Sequence, residues 1–150
     1  KVYDQGKQYY DKLESVHNLI KDARKVKETV ELVSEISHIY STNFNKMLSD
    51  RNFSVSELEA ISNGYAKLLN ESGNLLADIK NVVSLSNGLS MTDAERMSII
   101  DEIHAKMVEH RNLVRYFSKK SISVSFIRSQ EKGDLARVKS LYGNPSDRYW

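Results

Sequence analysis

An apolar stripe at helical spacing runs through the first third of the chain. Between Gly6 and Gly64 there is no glycine or proline, and apolar residues recur at steps of three and four, as one helix face requires. The stripe consists of Tyr9, Leu13, Val16, Ile20, Ala23, Val26, Val30, Val33, Ile36, Tyr40, Phe44 and Met47. This pattern predicts a helix over residues 7–49, on the order of 65 Å long at ~1.5 Å per residue.

Two further stripes predict two more long helices. Ser54 and Glu57 form a capping-box pattern after the polar break at residues 49–52. The second stripe is Val55, Leu58, Ile61, Tyr65, Leu68, Leu69, Leu76, Ile79, Val82 and Val83. Thr92 and Glu95 form a second capping box after Gly88. The third stripe is Ala94, Met97, Ile100, Ile103, Met107, Val114 and Phe117.

Glycines inside the second helix predict a close helix–helix contact. Gly64 and Gly73 interrupt the second stripe, and each costs roughly 1 kcal/mol relative to alanine in a helix interior. Close approach of a neighbouring helix is the interpretation we adopt for both positions, with a local kink as the alternative.

The end of the chain predicts a continued third helix and a short fourth one. Residues 121–127 alternate polar and apolar side chains as a strand would, but no other segment resembles a β-strand, so we interpret them as helix. Gly133 predicts a stop, and a short helix over residues 135–141 ends at Gly143 before Pro145. We therefore predict an all-α fold, an elongated antiparallel bundle of three long helices plus a short C-terminal helix, in one domain over residues 1–150.

Composition excludes several classes of site. The 150 residues include no cysteine, which removes disulfides, thiolate nucleophiles and cysteine-ligated metals. No run of 18 apolar residues occurs, so the sequence predicts no transmembrane helix. Because the chain starts at Lys1 rather than Met, we expect a leader or a trimmed segment upstream.

The small net charge of +2 conceals a basic last third. Residues 101–150 carry 10 basic and 6 acidic side chains. Arg111, Arg115 and Lys119 are spaced four apart on one helix face, with Lys120 beside them. This spacing fits a docking stripe for an acidic partner, a membrane surface or a phosphate backbone. Charges four apart are common on helices, so for the spacing alone we favour a solvated helix face.

The tail over residues 141–150, which ends in Tyr149 and Trp150, adds a second candidate contact. It can fold back onto the bundle or dock on another subunit, because exposed tail aromatics would form an apolar patch. The residues that we predict as the interaction surface are Arg111, Arg115, Lys119, Lys120, Tyr142, Tyr149 and Trp150.

Two Glu-x-x-His pairs have the spacing used by di-iron carboxylate bundles. They are Glu14 with His17 and Glu35 with His38. The two histidines lie 21 residues apart on one predicted helix, or ~30 Å, so they cannot share a metal within one chain. We predict surface or boundary histidines here, and no catalytic residue, metal or cofactor.

Several segments resemble a family of conjugative-element proteins. They are residues 2–10, 20–25, 41–48, 58–69, 89–97 and 141–150. The most specific are two of these. One is Ser-Met-Thr-Asp-Ala-Glu-Arg-Met over residues 90–97, and the other is the tail that starts Tyr-Gly-Asn at residue 142 and ends Arg-Tyr-Trp at residue 150. The chain resembles the TraI-type transfer proteins of Bacteroides-type conjugative transposons, which are distinct from the relaxase of the same name. A weaker similarity links it to TrbJ-type helical transfer proteins.

The resemblance implies a component of a mating-pair or type IV secretion apparatus, with a secretory leader and a place in the periplasm or cell envelope. It supplies no catalytic residues. We therefore predict a non-enzymatic assembly or interaction subunit that works by helix-face contacts, with other subunits of the apparatus or further copies of this chain as partners. The alternatives are a nucleic-acid-binding helical protein that uses the basic last third, which is less favoured, and a metal-binding helical-bundle enzyme.

Overall fold

A computed structural model describes residue 8, residues 24–84 and residues 92–144 of the chain. The described residues form four helices: α1 (Arg24–Leu48), α2 (Val55–Ser84), α3 (Asp93–Lys132) and α4 (Leu135–Tyr142). This confirms the predicted all-α architecture of three long helices and a short C-terminal one. In these parts of the chain, no helix is long and apolar enough to cross a membrane.

Helices α1 and α3 run parallel and make the most extensive contact in the bundle. Glu35 lies beside Arg111, and Asn52, just after α1, reaches Ser125 near the end of α3. Residue numbers therefore increase in the same direction along both helices, which makes them parallel. The side chains between them are the buried stripe residues that the sequence predicts.

Helix α2 packs against both and runs in the opposite direction. Its first turn meets the end of α3 through Glu57 and Arg128, and its middle meets the middle of α3 through Leu68 and His110. The three long helices thus form an up-down-up bundle, which confirms the predicted antiparallel order of consecutive helices.

Both predicted capping boxes are present. The Ser54 hydroxyl accepts the Glu57 N–H at 3.1 Å, and a Glu57 carboxylate oxygen accepts the Ser54 N–H at 2.9 Å. Thr92 and Glu95 make the same reciprocal pair at the start of α3. These bonds satisfy backbone donors that the first helical turn leaves unpaired.

The core is a single cluster with an aromatic centre. The Tyr65 ring lies 5.0 Å from the ring of Tyr40 and 4.9 Å from that of Phe117, in edge-to-face geometry, so it joins all three long helices. Three described members of the predicted stripes do not belong to the core. Val55 is 77% exposed, Met97 is 42% exposed and Ala94 is exposed as well, because all three lie near the N-terminal ends of their helices.

Gly64 marks a close contact between α2 and α3, as the sequence predicts. A Cβ atom at this position would lie 2.8 Å from Phe117 Cε1 and closer still to Cζ. The absence of a side chain lets the Phe117 ring lie directly on the α2 backbone and reach Tyr65.

Helix α3 continues through residues 121–127, which confirms the helical interpretation of that alternating segment. It ends at Gly133 with φ 75°, where glycine adopts the left-handed conformation that other residues disfavour. Helix α4 follows at once and extends one residue further than predicted, to Tyr142. The predicted stop at Gly88 lies outside the described residues.

Candidate functional site

The two arginines of the predicted basic stripe face α1. Arg111 Nη1 lies 3.1 Å from one Glu35 carboxylate oxygen, and Arg115 Nη2 lies 2.5 Å from the other. Both guanidinium groups therefore share one carboxylate across the parallel α1–α3 contact. Only 22% of the Arg111 side chain is exposed, so this half of the stripe joins two helices of the bundle rather than lying open as a row of free cations.

The two lysines of the stripe remain at the surface. Lys119 and Lys120 are both exposed. The Lys120 ammonium lies 5.5 Å from the centroid of the Tyr116 ring, a cation–π contact worth about 0.5–1 kcal/mol at an exposed site. Tyr116 is itself 57% exposed.

A row of exposed residues follows the outer side of α3, and we call it the outer face of α3. At 3.6 residues per turn its members fall within an arc of about 60°, on the side away from the core. Three large apolar side chains in this row are 47–57% exposed. The outer face consists of Glu109, Leu113, Tyr116, Lys120 and Ile127.

The tail residues predicted as contacts do not form one surface. Tyr142 is only 1% exposed, and its hydroxyl donates to Asp50 at 2.7 Å, so it belongs to the interior of the bundle. Its prediction as part of an interaction surface is therefore corrected: this tyrosine anchors α4. Tyr149 and Trp150 lie outside the described residues.

Tyr142 belongs to a buried polar cluster that the sequence analysis missed. The Asp50 side chain is 0% exposed. One of its oxygens accepts hydrogen bonds from Ser125 Oγ at 2.5 Å and from Tyr142, while the other accepts the Asn52 N–H at 3.0 Å. Arg137 Nη1 on α4 lies 3.6 Å from the same carboxylate. The carboxylate thus joins the α1–α2 turn to α3 and α4.

Asn52 is the second centre of this polar cluster. Its amide nitrogen donates to the Ser125 carbonyl at 3.1 Å and to the hydroxyls of Ser125 and Ser129, each at 3.0 Å. Its amide oxygen accepts from Lys132 Nζ at 3.0 Å. Asn52 is 4% exposed, and hydrogen bonding of this completeness offsets the cost of burying an amide.

An ion pair closes the cluster toward solvent. Arg128 donates to both carboxylate oxygens of Glu57, at 2.9 and 2.6 Å, and to the Asn52 carbonyl. The Arg128 guanidinium and the Ser54 backbone N–H together lower the pKa of Glu57 from 4.5 to about 2. Glu57 therefore caps α2 and fixes the end of α3 at the same time.

The polar cluster has a structural role. Its hydroxyls and amide are occupied by neighbours, and its carboxylate is enclosed, so these side chains serve to join the described helices. The sequence did contain a signal for it: the buried register of α3 continues past Val114 onto Ser118, Ile122, Ser125 and Ser129. Serines in a buried register require partners, and the polar break at residues 49–52 supplies them for Ser125 and Ser129.

The histidines are dispersed. Glu35 of the second Glu-x-x-His pair is bonded to arginines, and His38 is exposed, with Nε2 3.5 Å from Thr42 Oγ1. His104 Nε2 lies 3.5 Å from Glu28. In residues 24–84 and 92–144, no three histidine or acidic side chains lie close enough together to hold a metal. Glu14 and His17 lie outside the described residues.

His110 lies in the interior, between α2 and α3. It is 6% exposed, and its Nε2 donates to the Leu68 carbonyl, which as an acceptor requires the proton on that nitrogen. Its Nδ1 faces Glu71 at 3.5 Å. His110 and Glu71 line a shallow groove of about 390 Å³ between α2 and α3, together with Asn74, Leu75, Lys106, Glu109 and Leu113.

Comparison with known proteins finds no relative of this chain. No protein-family model, curated protein or solved structure matches the chain significantly.

Proposed function

We propose that this chain is a non-enzymatic assembly or interaction subunit of a conjugative transfer apparatus, placed in the periplasm or cell envelope. The resemblance to TraI-type proteins supports this, above all the block at residues 90–97 and the tail at residues 142–150. Its mechanism is recognition of neighbouring subunits by the surface of a helix.

The outer face of α3 is the observation that carries the proposal. Leu113, Tyr116 and Ile127 expose 47%, 57% and 50% of their surface on one side of a 40-residue helix. Isolated exposed apolar residues are ordinary, whereas a row of them marks a contact surface. Tyrosine is enriched at the centre of protein interfaces.

The bundle holds this face in place before any partner binds. Helix α3 is tied to α1 by the two arginine contacts with Glu35 and to the α1–α2 turn by the polar cluster. The Tyr65 hydroxyl, 2.6 Å from Ser118 Oγ, joins it to α2. A rigid contact surface loses less conformational entropy on binding than a mobile one.

The test is a mating assay with a donor in which the gene is deleted and then restored by variants. We expect deletion to lower the transfer frequency, and the double variant Leu113→Ala with Tyr116→Ala to fail to restore it. Truncations at an interface centre weaken binding by about 1–2 kcal/mol each, or roughly 5- to 30-fold.

The matched control truncates exposed apolar residues elsewhere. Leu48 and Val55 are 54% and 77% exposed at the end of α1 and the start of α2, and Leu48→Ala with Val55→Ala should restore transfer fully. Co-purification from mating cells identifies the subunit that the wild-type chain binds and the α3 variant loses. Unchanged transfer after gene deletion would refute the proposal.

A further inference from the structure

We infer that the outer face of α3 binds a second copy of this chain, with the two α3 helices antiparallel about a two-fold axis between residues 114 and 115. This inference rests on the proposed function, because it names the partner of the same face. The order of charges along α3 favours a second copy of this chain as the partner.

Four of the five residues of the outer face are self-complementary in one register. Glu109 and Lys120 are eleven residues apart, or about three helical turns, and therefore lie on the same side of α3. Leu113 and Tyr116 lie between them. In an antiparallel pair about the stated axis, Glu109 of each copy lies opposite Lys120 of the other, and Leu113 lies opposite Tyr116.

The two-fold axis produces every contact twice. Two Glu109–Lys120 ion pairs would flank two Leu113–Tyr116 contacts, which is an apolar centre with a charged rim. A parallel pair in the same register would place Glu109 against Glu109 and Lys120 against Lys120, and like charges disfavour it. The sequence order of the face therefore selects the antiparallel arrangement.

The charged residues are available for this role. Glu109 is exposed and has no ion pair among the described residues, and the Lys120 ammonium contacts only the Tyr116 ring there. That ring would remain in place while Lys120 gained a carboxylate from the other copy. Helix α3 has 40 residues, about 60 Å, which is long enough for a stable helix pair to extend beyond the central three turns.

The experiment is a sedimentation-equilibrium measurement on the full chain and on charge-reversal variants. We expect a wild-type dimer. Glu109→Lys alone, or Lys120→Glu alone, converts both ion pairs into like-charge contacts and should raise the dimer dissociation constant roughly tenfold. Circular dichroism should show unchanged helix content, because both positions are exposed.

Two complementary tests separate a specific contact from general charge effects. The double variant Glu109→Lys with Lys120→Glu restores opposite charges at both contacts and should dimerise like the wild type. An equimolar mixture of the two single variants places two cations of one copy against two anions of the other, so it should form a heterodimer. The controls are Glu59→Lys and Lys67→Glu, at exposed positions of α2, and neither should alter dimerisation.

A wild-type chain that stays monomeric at about 100 μM would overturn the inference, and so would a dimer that both single reversals leave unchanged. Neither result would decide the proposed function, which the mating assay tests separately. A monomer whose α3 variant still fails in mating would assign the outer face to a different subunit.

Discussion

Replacing Asp50 with alanine tests whether the buried polar cluster holds the bundle together. The substitution removes a carboxylate that is 0% exposed and that accepts hydrogen bonds from the Ser125 and Tyr142 hydroxyls and from the Asn52 N–H. All three donors are themselves buried, with exposures of 0%, 1% and 4%. No solvent can take the place of the lost acceptor.

The expected loss of stability follows from those three donors. A buried donor left without a partner costs about 1–3 kcal/mol, although the Ser125 hydroxyl can turn to a backbone carbonyl of its own helix. We therefore expect Asp50→Ala to lower the free energy of unfolding by about 3–5 kcal/mol. This is a large share of the ~5–15 kcal/mol typical of a folded domain.

Urea unfolding followed by circular dichroism measures this loss. Asp78→Ala is the matched control, because Asp78 is exposed on α2 and its removal should change stability by less than about 0.5 kcal/mol. The reasoning is refuted if Asp50→Ala unfolds within the same margin of the wild type.

A double-mutant cycle locates the effect in the cluster. Tyr142→Phe alone removes one hydrogen bond to the carboxylate and should cost about 1–2 kcal/mol. Because that bond is already absent from Asp50→Ala, the combined variant should be less destabilised than the sum of the two single variants, by about 1–2 kcal/mol. Additive costs would show that Tyr142 does not hold α4 through Asp50.

Two further predictions concern the ends of the contact between α2 and α3. Gly64→Ala should lower the free energy of unfolding by about 1 kcal/mol, measured by urea unfolding, since displacing Phe117 costs about 1–3 kcal/mol and the better helix propensity of alanine returns about 1 kcal/mol. Adding Phe117→Leu should recover this loss. A Gly64→Ala variant that is more stable than the wild type would contradict the close contact. Glu57 has a pKa lowered to about 2 from 4.5, so its contribution to stability is complete above about pH 4.5 and is lost as the pH falls toward 2. Urea midpoints should therefore drop more for the wild type than for Glu57→Gln over that range, and parallel curves would argue against the Arg128 pairing.

The helices were predictable from sequence because their apolar spacing and caps are local signals. Residues 26–47 of the first stripe, the two capping boxes and the stop at Gly133 depend on side chains within a few positions of each other. The close approach at Gly64 was predictable for the same reason, because a glycine inside an apolar helix needs a packing explanation. Its partner, Phe117, required the three-dimensional structure.

The polar cluster could not be predicted in the same way, because its bonds join positions more than 70 residues apart. A polar break between two stripes usually marks a solvated turn, and Asp50 and Asn52 fit that pattern in isolation. Only the packing of α3 against this turn shows that both side chains are buried. Likewise, the spacing of Arg111 and Arg115 gave their common helix face but did not reveal that Glu35 lies against it.

Helix α3 shows why polarity alone did not reveal the outer face of α3. Its inner side carries Ser118, Ser125 and Ser129, while its outer side carries Leu113, Tyr116 and Ile127, so part of the usual inside–outside pattern is reversed. The buried serines are tolerated because Tyr65, Asp50 and Asn52 supply hydrogen-bond partners from within the chain. The exposed apolar residues have no such compensation among the described residues. The same requirement for a partner that explains the inner side is the reason for our proposal that the outer face of α3 contacts another polypeptide.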